Sequence, residues 1–520
     1  MSWLKKKTNL ILILVVILLV YYPWFLINRT LASGDWPYLF KETIQGFSFF
    51  PDPSFLWLGP YYQITSKFFV EYLNISWEIT ERVFWFWMFL GISFFSSRYL
   101  SKIILRNSKF NLLTTLIFLT NSYILMVVGG GQMGVALGYS LSPMVFGKFI
   151  LLLQRFSFPN LVSSSLILAL QVMFDPRIAY ITGIGLALFA IFSLIFSEKK
   201  HSIIKSVLAY FFISSIVVFI LNYYWILSGV SKDLSGSTVN ALKYLSFGSF
   251  SQSISLLHPN WPENIFGKIY FMRPEFIVLP VFAYFSLFFL NIRKLNKEIL
   301  FFAFLGIIGA FLSKGVSEPF GVLYQWAFSN IPLFFLFRDP TKFYILVVLS
   351  YSILIPFALE KIGGRFPNLS WVIFIVFWLV LISPAFSGKL SGTFKPNFVP
   401  SEYSEFKNFL NNDTKYSNVL WMPTHSPFSF FSNTHPILGA SYLGDMLFAE
   451  KSDFQKLKKI MNDNNVGYVV IPQDSEGRIF MTDRIYDERQ YFKALEKMKK
   501  IPFLTSVRTF GKIVVFKVSK

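Results

Sequence analysis

Long apolar runs, separated by short polar segments, recur through the first three quarters of the chain. A helix of about 20 apolar residues is long enough to cross the hydrocarbon core of a bilayer. The pattern predicts about eleven transmembrane helices, with ends uncertain by a few residues. They lie at 8–28, 82–97, 110–128, 133–153, 160–175, 177–196, 204–228, 274–292, 298–313, 341–359 and 369–387. We therefore expect a polytopic α-helical membrane domain over residues 1–388.

The loop charges predict how this domain is oriented. The basic start MSWLKKK precedes the first apolar run, and no small-residue cleavage site follows, which predicts a retained first span with a cytoplasmic N-terminus. Basic residues then cluster in alternate loops, at Lys5–Lys7, Arg98, Lys102, Arg106, Lys109, Lys148, Arg155, Lys199, Lys200, Lys205, Arg293, Lys294, Lys297, Lys361 and Arg365. The long first loop on the opposite side, 29–81, has more acidic than basic residues. By the positive-inside rule these loops are cytoplasmic, and eleven spans place the C-terminal segment outside.

The last part of the chain, 389–520, has a different pattern. A helix at about 452–464 is predicted before a strand at Val466–Pro472. A second helix at 491–500 precedes two short apolar strands, SVRTF and KIVVFKV, joined by a Gly-Lys turn. This pattern predicts an extracytoplasmic soluble α/β domain.

Composition supports a membrane protein and excludes several other functions. Hydrophobic residues make up 54% of the chain and charged residues 15%, against roughly 25% charged in soluble domains. The net charge of +20 could suggest a nucleic-acid partner, but the basic residues lie in loops that report orientation, so none is expected. There is no cysteine, which excludes disulfides and thiol catalysis, and the four histidines form no HExxH pair.

Polar residues gather at the predicted outer ends of the spans. They are Asp35 in SGDWPYLF, Gln132 after a glycine run, Asp175 and Arg177 in FDPR, Lys314 and Glu318 in SKGVSEPFG, and Arg338, Asp339 and Lys342 in FRDPTKF. A charge at the bilayer centre costs about 2.5–3.5 kcal/mol, so such residues tend to face a cavity or a partner. The alternative for each is a helix cap or turn, as Asp-Pro often forms. Five loops bringing such residues to one face favour a polar cavity there.

Three segments beside these residues are apolar but do not resemble spans. The stretches 36–50 and 61–73 are aromatic and amphipathic, which predicts helices lying in the membrane interface. The segment 317–336 is broken by Pro319, Gly321 and Pro332 and is interpreted as a re-entrant or interfacial hairpin. A cavity bounded by such segments and by spans would suit a lipid-linked substrate.

These motifs resemble those of the GT-C glycosyltransferases. The shared layout is a cytoplasmic N-terminus, an aspartate in a long first outer loop, many spans and an outer soluble domain. GD in that loop, DPR, SKG…PFG and FRDPTKF are most similar to the arabinofuranosyltransferase-like branch and related uncharacterised prokaryotic membrane proteins. The resemblance implies transfer of a sugar from a polyprenyl-phosphate donor to an envelope glycan or glycolipid acceptor on the outer face of the cell membrane.

The resemblance also implies residue roles. Asp35 would be the general base that deprotonates the acceptor hydroxyl. Arg338 and Lys342 would bind the donor phosphate, with Arg177 as a further phosphate ligand. Asp175 could orient Arg177 or bind a divalent cation such as Mg²⁺ or Mn²⁺. Glu318 and Gln132 would be supporting residues that could also serve such a cation.

The pattern leaves other interpretations open. The loop has no DxD or ExD pair, and the WWDYG signature of oligosaccharyltransferases is absent, so transfer to asparagine is not expected. A transporter or flippase for a lipid-linked glycan is the main alternative, although span centres nearly free of charge argue against it. A non-enzymatic membrane scaffold is the third interpretation. For Asp35 itself, the alternative to a catalytic role is a structural role in a turn.

Overall fold

A computed structural model of the chain describes residues 2–44, 57–106, 108–230, 248–257, 272–290, 296–364, 366–423, 425–438, 454–473 and 488–519. Parts of the predicted segments 36–50 and 274–292 lie outside these residues.

Most of the described residues of the membrane domain are helical. Its helices are α1 Ser2–Tyr21, α2 Lys41–Ile44, α3 Gly59–Tyr62, α4 Trp77–Glu81, α5 Met88–Ile104, α6 Asn111–Thr120, α7 Ser122–Gly129, α8 Met133–Gln154, α9 Phe158–Phe174, α10 Pro176–Phe196, α11 Lys200–Val230, α12 Phe250–Ile254, α13 Pro274–Phe285, α14 Lys297–Ser313, α15 Gly321–Asn330, α16 Tyr344–Gly363, α17 Pro367–Leu381 and α18 Ser383–Phe386. Helix α3 continues as a π-helix over Gln63–Tyr72, and a π-helix at Arg82–Trp87 joins α4 to α5. Short 3₁₀ turns occupy Tyr22–Phe25, Ser286–Phe289, Phe334–Phe337, Pro340–Phe343 and Gly392–Phe394.

Each predicted span coincides with a helical segment, but the helices differ in length. Within the described residues, six are long and apolar enough to cross a membrane, at Thr8–Phe25, Trp77–Ile104, Met133–Gln154, Pro176–Phe196, Lys200–Leu227 and Pro340–Gly363. The pair α6 and α7, bent by 42°, would be a seventh. Helices α9 and α14 have 17 residues each, about 25 Å at 1.5 Å per residue, which is short of a hydrocarbon core of about 30 Å. The chain is a multi-pass membrane protein, and the count of eleven spans stays a prediction.

The helices form a bundle with a buried centre and an apolar periphery. Helix α16 is buried over almost its whole length and packs against α14, while α8 packs against α5 and α9. Helix α11, at the periphery, exposes large apolar side chains such as Leu208, Phe212 and Ile220. A surface of this kind is unfavourable in water and suits contact with lipid.

The helical segment formed by α3 and the π-helix after it has its polar side turned inward. Gln63, Thr65 and Ser66 are buried, while Ile64 and Tyr72 are more than half exposed. This arrangement is the one expected of a helix in the membrane interface, with its apolar face toward the acyl chains. Helix α15 in the predicted hairpin segment also exposes apolar side chains, Val322, Leu323 and Trp326 among them.

The C-terminal part of the chain folds around a five-stranded sheet. Its elements are α19 Ser401–Asn411, β1 Asn418–Trp421, β2 Ile437–Leu438, α20 Phe454–Asp463, β3 Val466–Pro472, α21 Glu488–Lys499, β4 Leu504–Phe510 and β5 Ile513–Val518. The strand order is β2-β1-β3-β5-β4, parallel in the first three strands and antiparallel between β3, β5 and β4. Helices α20 and α21 cover one face of the sheet, and α19 covers the other. The two predicted helices, the strand at Val466–Pro472 and the final strand pair are confirmed.

This C-terminal unit packs against the segment that follows α1. The backbones of Thr30 and Asn397 exchange two hydrogen bonds of 2.7 and 3.0 Å. Ala32 and Phe40 lie in the same buried cluster as side chains of the C-terminal unit, namely Tyr403, Phe406, Leu410, Val419, Trp421, Phe428 and Phe430. The predicted boundary between residues 388 and 389 therefore separates two units that share a core, and it stays a prediction.

The predicted orientation can be measured with single cysteines, since the natural chain has none. In intact cells a membrane-impermeant maleimide should label Tyr416→Cys, in the C-terminal unit, and should not label Glu198→Cys, between α10 and α11. Both positions are exposed, so both should be labelled after permeabilisation. Labelling of Glu198→Cys alone in intact cells would show that the orientation is opposite to the predicted one.

Candidate functional site

The loop that carries Asp35 is a tight turn after α1. The backbones of Ser33 and Trp36 exchange two hydrogen bonds of 2.9 Å, with Gly34 at φ +58° between them. Glycine accepts this left-handed conformation without the strain that a β-carbon would cause. Within the turn Asp35 is exposed, and its backbone N–H donates to the carbonyl of Gly130 at 3.0 Å.

The glycine run 129–131 lets this turn lie directly on the start of α8. A β-carbon at Gly131 would lie 2.6 Å from the β-carbon of Trp36 and 2.7 Å from the carbonyl oxygen of Ser33. The close approach brings Gln132 to Asp35, and the Gln132 Nε2 donates to Asp35 Oδ2 at 3.1 Å. Gln132 therefore orients the carboxylate that the sequence predicted as the base.

A buried ion pair, which was not predicted from the sequence, is hydrogen-bonded to the same turn. Glu81 is fully buried, and its two carboxylate oxygens accept from the backbone N–H of Leu31 at 3.1 Å and from Trp36 Nε1 at 2.8 Å. Arg82 lies 3.1 Å from Glu81 and donates to the carbonyls of Leu26 and Arg29 at 2.8 and 2.6 Å. The pair fixes both ends of the segment between α1 and Asp35. The only sequence signal was two adjacent charges directly before the apolar run VFWFWMFL.

Asp175 begins α10 and orients Arg177. Its Oδ1 accepts from the backbone N–H groups of Arg177 and Ile178 at 2.8 and 3.3 Å, which caps the helix. Its Oδ2 accepts from Arg177 Nη2 at 2.6 Å, and the guanidinium lies 5.6 Å from the ring centre of Trp57. Of the two roles implied for Asp175, this geometry is that of orientation.

The segment before α16 contributes two more cations to this region, of which one is ion-paired and the other is not paired with any described residue. Asp339 caps the turn Pro340–Phe343, accepting from Thr341 through Oδ1 and from Lys342 Nζ through Oδ2 at 2.9 Å. Lys342 is therefore neutralised by its neighbour, with only 7% of its side chain exposed. Arg338 is exposed, and among the described residues it has no ion-pair partner.

These residues line one cavity of about 730 Å³. Six of the predicted site residues contribute to it, namely Asp35, Gln132, Asp175, Arg177, Arg338 and Lys342. Glu318 is not among its lining residues and is exposed elsewhere. The remaining lining residues are mostly apolar, and six of them are aromatic, namely Trp36, Trp57, Tyr62, Trp77, Trp85 and Phe431. The predicted polar cavity is present. Its aromatic lining residues were not predicted from the sequence.

Among the titratable groups of the cavity, Asp35 is the best placed base. Burial raises the pKa of Tyr62 well above its usual range, so its hydroxyl stays protonated near neutral pH. Asp175 and Asp339 each accept from a cation of the same cavity, Arg177 and Lys342 respectively. The Asp35 carboxylate is exposed, and its Oδ2 accepts from the amide of Gln132.

The predicted divalent cation is not tested by the described residues. No group of three His, Asp or Glu side chains that could hold one occurs in that part of the chain. Both carboxylates beside Asp35 in the cavity are engaged by Arg177 and Lys342. Binding of Mg²⁺ or Mn²⁺ stays a prediction.

Comparison with known proteins identifies the fold. No family model matches the sequence, and no curated protein matches it. The structure is similar to that of arabinofuranosyltransferase AftD from Mycobacteria, with a TM-score of 0.63 and 12% identity, covering 99% of this chain and 40% of that chain. A mutant of AftD matches with a TM-score of 0.61 and 12% identity, covering 99% of this chain and 42% of that one. The chain thus spans about two fifths of the length of these proteins. The predicted resemblance to a GT-C arabinofuranosyltransferase is confirmed as a likeness of fold.

Proposed function

We propose that this chain is a membrane glycosyltransferase that moves a sugar from a polyprenyl-phosphate donor to a glycan or glycolipid acceptor at the outer face of the membrane. The observation that carries the proposal is that Asp35 and Arg338 line the same cavity. The two other cations of the cavity are each ion-paired with an aspartate. Arg338 is therefore the cation most available to a bound phosphate, and the fold likeness supports the reaction class.

In this reaction Asp35 takes the proton of the acceptor hydroxyl as the acceptor oxygen bonds to the anomeric carbon of the donor sugar. The bond between that carbon and the phosphate oxygen breaks, and its electron pair leaves on the polyprenyl phosphate. Arg338 stabilises the charge that builds on this phosphate, because guanidinium groups bind phosphate oxygens through paired N–H donors. Gln132 holds the carboxylate of the base in place.

The surroundings of the cavity suit a donor with a lipid chain. The 3₁₀ turn Phe334–Phe337 leads directly into Arg338, and it follows α15, whose apolar side chains are exposed. Apolar surface of this kind favours acyl or prenyl chains over water. A lipid-linked phosphate could thus reach Arg338 from the membrane side without leaving the interface.

The donor class and the role of Arg338 can be tested together. With purified protein in lipid nanodiscs, labelled sugar should be transferred from a synthetic polyprenyl monophosphate sugar and not from a nucleotide sugar. Arg338→Ala should raise the donor KM by about 10–100-fold, since a hydrogen bond to a charged group contributes about 1.5–3 kcal/mol and 1.4 kcal/mol corresponds to tenfold. Steady-state kinetics at saturating acceptor measure this change.

Arg155→Ala is the matched control, because Arg155 is an exposed arginine after α8 that does not line the cavity. It should leave the donor KM unchanged. Transfer from the nucleotide sugar, or equal kinetics of the two arginine variants, would contradict the proposal. Movement of intact donor across proteoliposomes without transfer would support the flippase alternative.

A further inference from the structure

Phe431 is the one described residue of the C-terminal unit that lines the cavity of Asp35. It is half-buried and lies in the segment between β1 and β2. The other lining residues lie between Asp35 and Lys342 in the sequence. The C-terminal unit therefore contributes a wall of the cavity with an aromatic side chain.

The position of Phe431 is determined by contacts with the loop that carries Asp35. The hydroxyl of Thr43 donates to the Phe431 carbonyl at 2.6 Å, and the backbone N–H of Tyr38 donates to the Pro427 carbonyl at 2.7 Å. The rings of Phe428 and Phe430 are buried in the cluster that also contains Phe40. These contacts attach the segment around Phe431 to the residues that follow Asp35 in the chain.

Hydrogen bonds within the segment on both sides of Phe431 hold its backbone. Before it, Ser426 Oγ accepts from the N–H of Phe428 at 3.1 Å, and Ser429 Oγ accepts from the N–H of Ser426 at 2.8 Å. After it, the backbone N–H of Ser432 donates to the carbonyl of His435 at 3.1 Å. Side-chain bonds of this kind stabilise turns, so the Phe431 ring is presented to the cavity by an ordered segment and not by a loose loop.

The contacts of Phe431 with the segment after Asp35 favour the acceptor side of the proposed reaction. In a single displacement the attacking oxygen and the leaving phosphate lie on opposite faces of the anomeric carbon. The phosphate would lie at Arg338, on the segment before α16, and the acceptor oxygen would lie at Asp35. Phe431 lines the cavity and is hydrogen-bonded to the segment that carries Asp35, which favours the acceptor over the donor as its ligand.

We propose that Phe431 forms a carbohydrate subsite for the acceptor, in which its ring packs against the apolar C–H face of a sugar. The face of an aromatic ring carries negative quadrupole charge and attracts the weakly positive C–H groups of a sugar ring, while apolar area is removed from water. The C-terminal unit would then take part in the catalytic site and set which glycan is extended. This inference rests on the proposed function for its reaction, but acceptor binding can be tested without it.

The kinetic test compares Phe431→Ala and Phe431→Tyr with wild-type protein in nanodiscs. Phe431→Ala should raise the acceptor KM by about tenfold, the order expected for losing one aromatic contact, and leave the donor KM unchanged. Phe431→Tyr keeps the ring and should restore the acceptor KM. Phe492→Ala is the control, because Phe492 is an exposed aromatic residue on α21, which covers the other face of the sheet. An unchanged acceptor KM in Phe431→Ala, or an equal rise in the donor KM, would overturn the subsite.

A binding measurement separates this inference from the proposed function. Saturation-transfer NMR would use trisaccharides of glucose, mannose, galactose and arabinose as probes, with no donor present. Wild-type protein and Phe492→Ala should bind at least one probe, and Phe431→Ala should bind it about tenfold more weakly. If no sugar transfer occurs but this difference is observed, the glycan subsite stands and the transferase proposal fails. Equal binding by all variants, or no binding of any probe by wild-type protein, would overturn the subsite.

Discussion

Replacement of Asp35 by Asn is expected to lower kcat for sugar transfer by about 10²–10⁴-fold, with KM for both substrates nearly unchanged. Asparagine preserves the size of the side chain and also favours turns, so the Ser33–Trp36 turn should persist. What it loses is the ability to take up the proton of the acceptor hydroxyl. Single-turnover transfer from a labelled donor would measure the chemical step directly.

Two companion variants make the Asp35 result specific. Glu360→Gln changes an exposed carboxylate near the end of α16 that does not line the cavity, and it should leave kcat unchanged. Asp35→Glu keeps the proton acceptor but moves it by one methylene group, so it should retain partial activity. Wild-type kcat in Asp35→Asn would mean that this aspartate serves only the turn.

The second large effect concerns stability. Glu81→Ala is expected to lower the free energy of unfolding by about 3–5 kcal/mol, because removal of one partner leaves the other charge of a buried pair uncompensated. The loss would also release the backbone of Leu31 and the indole of Trp36 from their shared acceptor. Unfolding of the purified protein in mixed micelles, titrated with a denaturing detergent, measures the change. Activity should fall as well, since the pair holds the segment that ends at Asp35.

The matched control is Glu496→Ala, which breaks an exposed ion pair with Lys499 on α21. Exposed pairs contribute little because water screens them, so this variant should unfold like the wild type. The double variant Glu81→Ala/Arg82→Ala separates two causes. If it is more stable than Glu81→Ala, the uncompensated Arg82 accounts for the cost. If Glu81→Ala itself unfolds like the control, the buried pair does not secure the loop.

Much of the candidate site could be predicted because its residues stand out locally. Asp35, Arg177 and Arg338 are charges beside long apolar runs, and the cost of placing a charge in lipid makes such positions informative without any structure. The pattern could not predict which of these charges form ion pairs. Arg338 and Lys342 were predicted to bind the donor phosphate, with Arg177 as a further candidate. The pattern did not predict that Lys342 and Arg177 each form an ion pair with an aspartate of the same turn.

For the turn at Ser33–Trp36, too, the sequence predicted some features and only the structure showed others. Glycine at 129–131 was visible in the sequence, but the reason for it, contact of Gly131 with Trp36, required two distant segments to be in place. The same holds for Glu81 and Arg82. Glu81 ends the predicted loop 29–81 and Arg82 begins the predicted span 82–97, whereas in the structure they form a buried pair. Glu81 accepts from, and Arg82 donates to, the segment before Asp35.

The sequence by itself determined the membrane class, the helices at the predicted spans, the strand at Val466–Pro472 and the final strand pair. These features depend on hydrophobic period and run length, which are local properties of the chain. The tertiary structure alone decided which cations of the cavity are ion-paired, which residue contacts the Asp35 carboxylate, and that Phe431 of the C-terminal unit lines the cavity. Such outcomes depend on contacts between residues far apart in sequence, and no local pattern encodes them.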